Sequence, residues 1–187
     1  MPQYISQFEN VLDQEFCNKM IDKFKSDSRT MPDPQPDYST RRFLNLSLCD
    51  DWIGFISPLL EKTNAIAEEY FAVPEGMESV AVSDWIDDGF IMSHYRKGDD
   101  LILHVDGQNS EEGFNGLRLG TVVFFLATSE GGELHFPLQD VCISPVAGRA
   151  VMFPPVYTHP HEVLKVKSDR YIVQTWLTHP QYKVVEY

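Results

Sequence analysis

Two histidines, one aspartate and one arginine carry the chemistry this sequence offers. They are His104 and Asp106, separated by Val105, then His161, then Arg170 nine residues further on. Two imidazoles and one carboxylate form the set that holds a ferrous ion on one side and leaves three positions open to other ligands. A guanidinium is a fixed, forked cation that can grip a carboxylate with two parallel hydrogen bonds. A chain that brings all four together can run oxygen chemistry on iron beside a bound dicarboxylate. No single piece is specific. Six histidines and 28 acidic residues make one chance His-x-Asp unsurprising, and Asp106-Gly107 also reads as a solvated turn. His159 competes with His161 for the third ligand, and Arg170 reads alternatively as half of a structural ion pair.

Convergence of these side chains needs strands. On an extended backbone alternate residues share a face, so His104 and Asp106 point one way while Val105 points into packing. His161 follows Asp106 by 55 residues, which leaves room for it to arrive from a facing sheet. Arg170, Ile172, Gln174 and Trp176 alternate with Tyr171, Val173, Thr175 and Leu177. Both faces are largely apolar, as expected of a strand buried on both sides.

The preceding third of the chain is helical in pattern. Asp13 is placed to cap a helix running to about Lys25, with Phe16, Met20, Ile21 and Phe24 on its apolar face. A second helix is expected from about Trp52 to Phe71, with Pro58 marking a separate turn near its start. Ser26–Arg42, polar and holding Pro32, Pro34 and Pro36, reads as an exposed connector or as a cover for a substrate site.

From Val80 onward short β-like runs alternate with turns. The expected strands are Val80–Trp85, Phe90–Tyr95, Leu101–His104, Leu117–Ala127, Glu133–Phe136, Val141–Ile143, Ala150–Phe153, Glu162–Val166 and Tyr171–Thr178. This spacing predicts a sandwich or barrel. The fold class is therefore mainly β with flanking helices. The expectation is one domain over 1–187, with helical support in 1–75 and the β core in 77–187.

Composition narrows the function classes. A formal charge of −13 argues against nucleic acid and anionic membranes, both of which need a basic footprint. Cys17, Cys49 and Cys142 are odd in number and widely spaced, and read as buried thiols in a reducing, cytoplasmic setting. No leader-like segment and no run of membrane-spanning length is visible.

The ordered motifs resemble the 2-oxoglutarate and Fe(II)-dependent dioxygenases, in particular the prolyl 4-hydroxylase-like branch. The resemblance spans about Asp88 to Thr178. It rests on Tyr95-Arg-Lys-Gly98 leading to His104-Val-Asp106, on Arg118-Leu-Gly-Thr-Val-Val-Phe-Phe-Leu126, and on Gly131-Gly-Glu-Leu-His-Phe136. It continues through Pro145 to Phe153 and Pro160-His-Glu-Val163, and ends on Arg170-Tyr-Ile-Val-Gln-Thr-Trp176. It implies a double-stranded β-helix (jelly roll, cupin-like) core and an enzyme that hydroxylates a peptidyl proline and releases succinate and CO2.

The resemblance also implies residue roles. His104, Asp106 and His161, rather than His159, become the Fe(II) ligands. Arg170 holds the distal carboxylate of 2-oxoglutarate, Tyr95 lines the cosubstrate pocket, and Trp176 packs near the second histidine. Arg118 engages a peptide substrate. O2 is the co-reactant, with ascorbate a candidate accessory. The partner is a proline-containing peptide or protein, and the chain is a monomer or homodimer. Phe125 and Leu101 depart from the pattern, since relatives often carry a tyrosine at each position. Phe125 thereby removes a hydroxyl beside Arg170, unless the contact comes from elsewhere.

The loops Ser26–Arg42 and Gln108–Asn115 are candidates to border the site. His94, His135, His159 and His179 are expected to pack or hydrogen-bond. Two rival readings are a dioxygenase of a free amino acid or other small molecule, and a non-catalytic metal-binding β-barrel. A closed zinc site is disfavoured, because no thiol lies near the motifs.

Overall fold

The computed structural model describes residues 4–107 and 118–180. Gln108–Asn115 lies outside the described residues. In chain order the elements are β1 (Ser6–Phe8), α1 (Gln14–Ser26), β2 (Met31–Pro32), β3 (Arg42–Asn45), α2 (Ile53–Tyr70), β4 (Ile86–Asp87) and β5 (Ile91–Tyr95). They continue as β6 (Leu101–His104), β7 (Arg118–Phe125), β8 (Leu134–Phe136), β9 (Val141–Ile143), β10 (Ala150–Phe153), β11 (His161–Val163) and β12 (Arg170–Thr178).

Two antiparallel sheets face each other. The larger runs β1-β10-β7-β12-β5-β3-β2, with β4 added beside β12, and the smaller runs β6-β11-β8-β9. From β5 onward the chain moves back and forth between the sheets. This interleaving is the jelly roll, and β12 sits at the centre of the larger sheet.

Alternation along the central strands divides the core into two layers. Val122 and Phe124 of β7, Met152 of β10 and Val173 and Leu177 of β12 pack toward the helices. Val123 and Phe125, Phe153 and Ile172 point instead between the sheets, where they meet Leu134, Phe136 and Val163. The helices cover the outer face of the larger sheet. On α1, Cys17, Met20, Ile21 and Phe24 are buried, and Asp13 caps the helix by accepting from the Phe16 amide at 2.7 Å. Such a cap contributes about 1 kcal/mol. On α2 the buried stripe is Leu59, Thr63, Ile66 and Ala67.

Four sequence expectations are corrected. Val80–Trp85 is not a strand: Glu78–Val80 forms a 3-10 turn, and pairing begins only at Ile86. Trp85 instead lies 5.6 Å from the Phe71 ring and donates its indole N–H to Asn64 at 3.1 Å, so packing on the end of α2 overrides the local β pattern. Pro58 does not separate a turn, because it lies within α2. The turn comes earlier, as a 3-10 segment at Asp50–Trp52. Cys17 and Cys49 are buried as expected, whereas Cys142 is exposed. Ser26–Arg42 is also more than a loop. It contains β2, and Tyr38 and Ser39 lie along the edge of β6, where the Ile102 amide donates to the Tyr38 carbonyl at 3.2 Å.

Candidate active site

The site lies between the two sheets, in a cleft of about 360 Å³. His104 ends β6 and His161 begins β11, and the two are direct register partners in the smaller sheet. His161 thus arrives from the neighbouring strand of the same sheet and not from a facing one. Asp106 follows in the turn after β6. Val105 does not turn away into packing, since the strand stops before it and it lines the cleft.

One ligand atom from each of His104, Asp106 and His161 falls within 4.8 Å of the others. His104 Nε2 is 3.3 Å from Asp106 Oδ1, and His161 Nε2 is 3.6 Å from Asp106 Oδ2. The other ring nitrogens are committed to the backbone. His104 Nδ1 donates to the Ile102 carbonyl at 2.8 Å, and His161 Nδ1 to the His159 carbonyl at 3.1 Å. A carbonyl can only accept, so each Nδ1 carries a proton and each Nε2 is left facing inward, free of the backbone. His159 therefore acts through its carbonyl, and its ring nitrogen Nδ1 contacts Thr158 Oγ1 at 2.8 Å.

The electrostatics agree with a metal-binding set. Burial pushes His161 below its ordinary pKa, with Asp106 pulling the other way. For Asp106 burial alone would raise the pKa. The imidazoles of His161 and His104 and the Thr121 hydroxyl outweigh it and hold the carboxyl well below the usual range. Thr121 donates to Asp106 Oδ2 at 2.7 Å from across the cleft, on β7. Two imidazole nitrogens and a carboxylate held in its ionised form, on one side of a partly open cavity, suit Fe(II) with positions left free.

Arg170, Ile172, Gln174 and Trp176 all line the same cleft, as their alternation on β12 requires. Arg170 is 1% exposed, and its Nε and Nη1 have no hydrogen-bond partner among the described residues. Burial pushes its pKa down to about 10, with Tyr95 opposing. A buried cation with unsatisfied donors is costly unless an anion joins it. The orphaned donors therefore call for a carboxylate at this end of the cleft. Tyr95 is the register partner of Arg170 on β5, and Phe125 places its ring 5.3 Å from the guanidinium on the other side. Gly132 makes room for the arginine, since a Cβ there would stand 2.7 Å from Arg170 Cδ.

Trp176 lines the same cleft as His161, but the two rings are not in contact among the described residues. The rings around His161 are His104, Phe136 and Phe153, at 4.3, 5.5 and 4.7 Å. Trp176 instead lies beneath Arg118, whose guanidinium is 4.0 Å from the indole. Arg118 lines the cleft but spends two donors on the protein, one on the Asp106 carbonyl at 2.6 Å and one on Asp88 at 3.0 Å. His94 stacks on Tyr171 at 4.2 Å and His135 bonds Glu162 at 2.8 Å, as packing residues do.

Sequence reasoning missed Thr121, Gln35, Tyr38 and Arg41, all of which line the cleft. Thr121 had a signal, a hydroxyl on the inward face of an otherwise apolar strand. The three loop residues fall in the Ser26–Arg42 segment expected to border the site, but its lack of periodicity gave no way to single them out.

Residues 90–178 match the family model of the 2OG-Fe(II) oxygenase superfamily. No curated protein matches by sequence. Among solved structures, similarity extends to a viral collagen prolyl hydroxylase of Paramecium bursaria Chlorella virus-1 in its 2OG complex, with TM-score 0.70 and 20% identity over 94% of this chain and 96% of that one. A prolyl hydroxylase from Trichoplax adhaerens, bound to a peptide fragment of the hypoxia inducible factor oxygen degradation domain, gives TM-score 0.76 at 15% identity over 96% and 86%. A Pseudomonas putida prolyl-4-hydroxylase gives 0.68 at 17% over 95% and 94%.

Proposed function

From the match of residues 90–178 to the family model of the 2OG-Fe(II) oxygenase superfamily, we propose that the whole chain is one such enzyme domain and hydroxylates a prolyl residue of a peptide or protein. The observation that carries this reading is the juxtaposition of two inward Nε2 atoms and the Asp106 carboxylate with the unsatisfied guanidinium of Arg170, in a single cleft. The likeness in fold to prolyl hydroxylases supports the choice of substrate class.

His104, Asp106 and His161 would hold Fe(II). When bound with 2-oxoglutarate and O2, the metal supplies conversion of a C–H bond to C–OH, one oxygen atom entering the substrate and the other entering succinate as CO2 leaves. The protein's own residues then have four tasks. The backbone carbonyls of Ile102 and His159 fix the tautomer and direction of both imidazoles. Thr121 fixes one oxygen of Asp106. Arg170 anchors the distal carboxylate of 2-oxoglutarate, with Tyr95 at its side. Phe153, Val163 and Ile172 keep the space between the sheets dry.

We read Arg118, on the cleft rim above Trp176, as the group that meets a peptide, and the Ser26–Arg42 segment as the neighbouring wall. We read the location as cytoplasmic, the chain as a monomer or homodimer, ascorbate as an accessory, and nucleic acid and membranes as non-partners. Among the described residues no helix is long and apolar enough to cross a membrane.

Mass spectrometry of proline-containing peptides incubated with Fe(II), 2-oxoglutarate and enzyme tests the reading. A gain of about 16 Da on a prolyl residue, with succinate formed in step, is the expected result. Asp106→Ala abolishes both products. A variant lacking this carboxylate that still hydroxylated at the wild-type rate would remove the iron assignment, and product on a free amino acid alone would replace the substrate class.

A further inference from the structure

The carboxylate end of the cleft contains a second guanidinium, and it comes from the proline-rich segment. Arg41 Nη1 donates to the Tyr95 hydroxyl at 3.1 Å. Arg41 Nε is held by Asp33 at 3.0 Å, with 14% and 6% of the two side chains exposed, and the Asp33 amide donates back to the Arg41 carbonyl at 2.9 Å. We infer that Arg41 is a positioning residue for the cosubstrate. It fixes the Tyr95 hydroxyl so that Tyr95 and Arg170 together bind the distal carboxylate of 2-oxoglutarate, which replaces the hydroxyl that Phe125 lacks. The inference rests on the cleft being a 2-oxoglutarate pocket.

Donors and acceptors around the phenol decide its role. A phenol carries one proton and accepts on its oxygen. Among the described residues, the hydrogen-bond partners of the Tyr95 oxygen are the guanidiniums of Arg41 and Arg170, and the Arg170 carbon is 4.9 Å from the Tyr95 ring centre. Neither guanidinium can accept. With its lone pairs engaged by cations, the Tyr95 proton is left for a group that enters the cleft.

Charge points the same way. Asp33 offsets one of the two guanidiniums, so one positive charge remains, located at Arg170, where Nε and Nη1 are unpartnered among the described residues. A single carboxylate completes this arrangement by accepting from Arg170 and from Tyr95. For Arg41 itself burial would lower the pKa, but Tyr95 and Asp33 more than offset it, so its charge persists in place. Cosubstrate affinity therefore depends on a residue outside the β core, carried by a segment whose Ser39 bridges Leu101 on β6.

The test is direct binding to the full chain without turnover. With Mn(II) present and oxygen excluded, 2-oxoglutarate and 2-oxobutyrate are titrated calorimetrically. The second compound keeps the keto acid end and lacks the distal carboxylate. Arg41→Met should raise the 2-oxoglutarate Kd roughly tenfold or more, the scale of a hydrogen bond to a charged group. Its Mn(II) and 2-oxobutyrate affinities should change less than about twofold, within the scatter of independent sites. Tyr95→Phe should do the same, the double variant should be no worse than the weaker single one, and Arg41→Lys should recover most of the loss. If Arg41→Met melts at low temperature, Tyr95→Phe reads the same proton. Unchanged 2-oxoglutarate binding in Arg41→Met and Tyr95→Phe overturns the inference and leaves the pocket reading intact. Equal weakening for both keto acids also overturns it, by assigning Arg41 a purely structural part. A wild-type chain that binds Mn(II) but not 2-oxoglutarate removes the pocket reading and the inference together.

Discussion

Thr121 shows how much a single hydroxyl can decide. Its 2.7 Å bond to Asp106 Oδ2 leaves Oδ1 as the oxygen nearer His104, at 3.3 Å, so the carboxylate enters the site in one orientation. Replacing Thr121 with Val keeps the volume and removes the donor. Partners of metal-ligating carboxylates typically matter by about 10–100-fold in metal affinity. Thr121→Val is therefore expected to weaken Fe(II) or Co(II) binding on that scale in a metal titration, with kcat at saturating metal reduced less. An unaltered affinity would mean that the turn after β6 holds Asp106 unaided. Arg118 contributes to that turn through the Asp106 carbonyl, so its place on the rim and its support of the metal loop are two parts of one contact set.

At the scale of elements, the turn between β7 and β8 shapes the carboxylate pocket as much as the strands do. Gly131 and Gly132 have φ of 67° and 71°, in the left-handed region that favours glycine. A Cβ on Gly132 would also stand 2.7 Å from Arg170 Cδ and 2.9 Å from Val166 Cγ2. Gly132→Ala is thus expected to cost about 1–3 kcal/mol of stability through strain alone. It should also raise the KM for 2-oxoglutarate by displacing the guanidinium. A lower melting temperature with an unchanged KM would show that Arg170 adjusts to the crowding. Conversely, α1 and α2 contribute no residue to the described lining of the cleft. Their part is to cover Val122, Phe124 and Val173 on the outer face of the larger sheet, where β7 and β12 are paired neighbours.

The whole molecule responds to acid through its buried titrating groups. Burial lowers the pKa of His161 and of His94 in the folded chain. In the unfolded chain each titrates near the ordinary value of about 6.5. Below that value the unfolded state binds more protons than the native state, so stability rises with pH through this window and falls as pH drops below it. Asp106 acts in the same direction at lower pH. Its folded pKa is depressed, so its contribution is present above the ordinary carboxylate value and is lost as acid protonates it. Metal binding loses ground over the same range, because the imidazoles must be neutral to ligate. Denaturant unfolding followed from pH 8 to pH 5 should show a falling free energy that begins near the ordinary histidine value, with activity falling alongside. A flat profile would mean that His161 and His94 titrate as they do in the unfolded chain.

The alternation of Arg170, Ile172, Gln174 and Trp176 was legible in the sequence, and so were the burial of β12 on both faces, the capped first helix and most strands of the jelly roll. Each of these is a local pattern, repeated every two or every 3.6 residues. Trp85, Pro58 and β1 to β3 were not legible, because a pairing partner or a helix end decides them and neither lies nearby in sequence. The donor set was readable as residue types. That His161 meets His104 on the adjacent strand, that His159 serves through its carbonyl, and that Arg41 and Thr121 join the cleft from a loop and the opposite sheet were decided only by the closing of two sheets on each other. Spacing constrains which side chains can share a face, whereas contact between faces depends on how the whole chain packs.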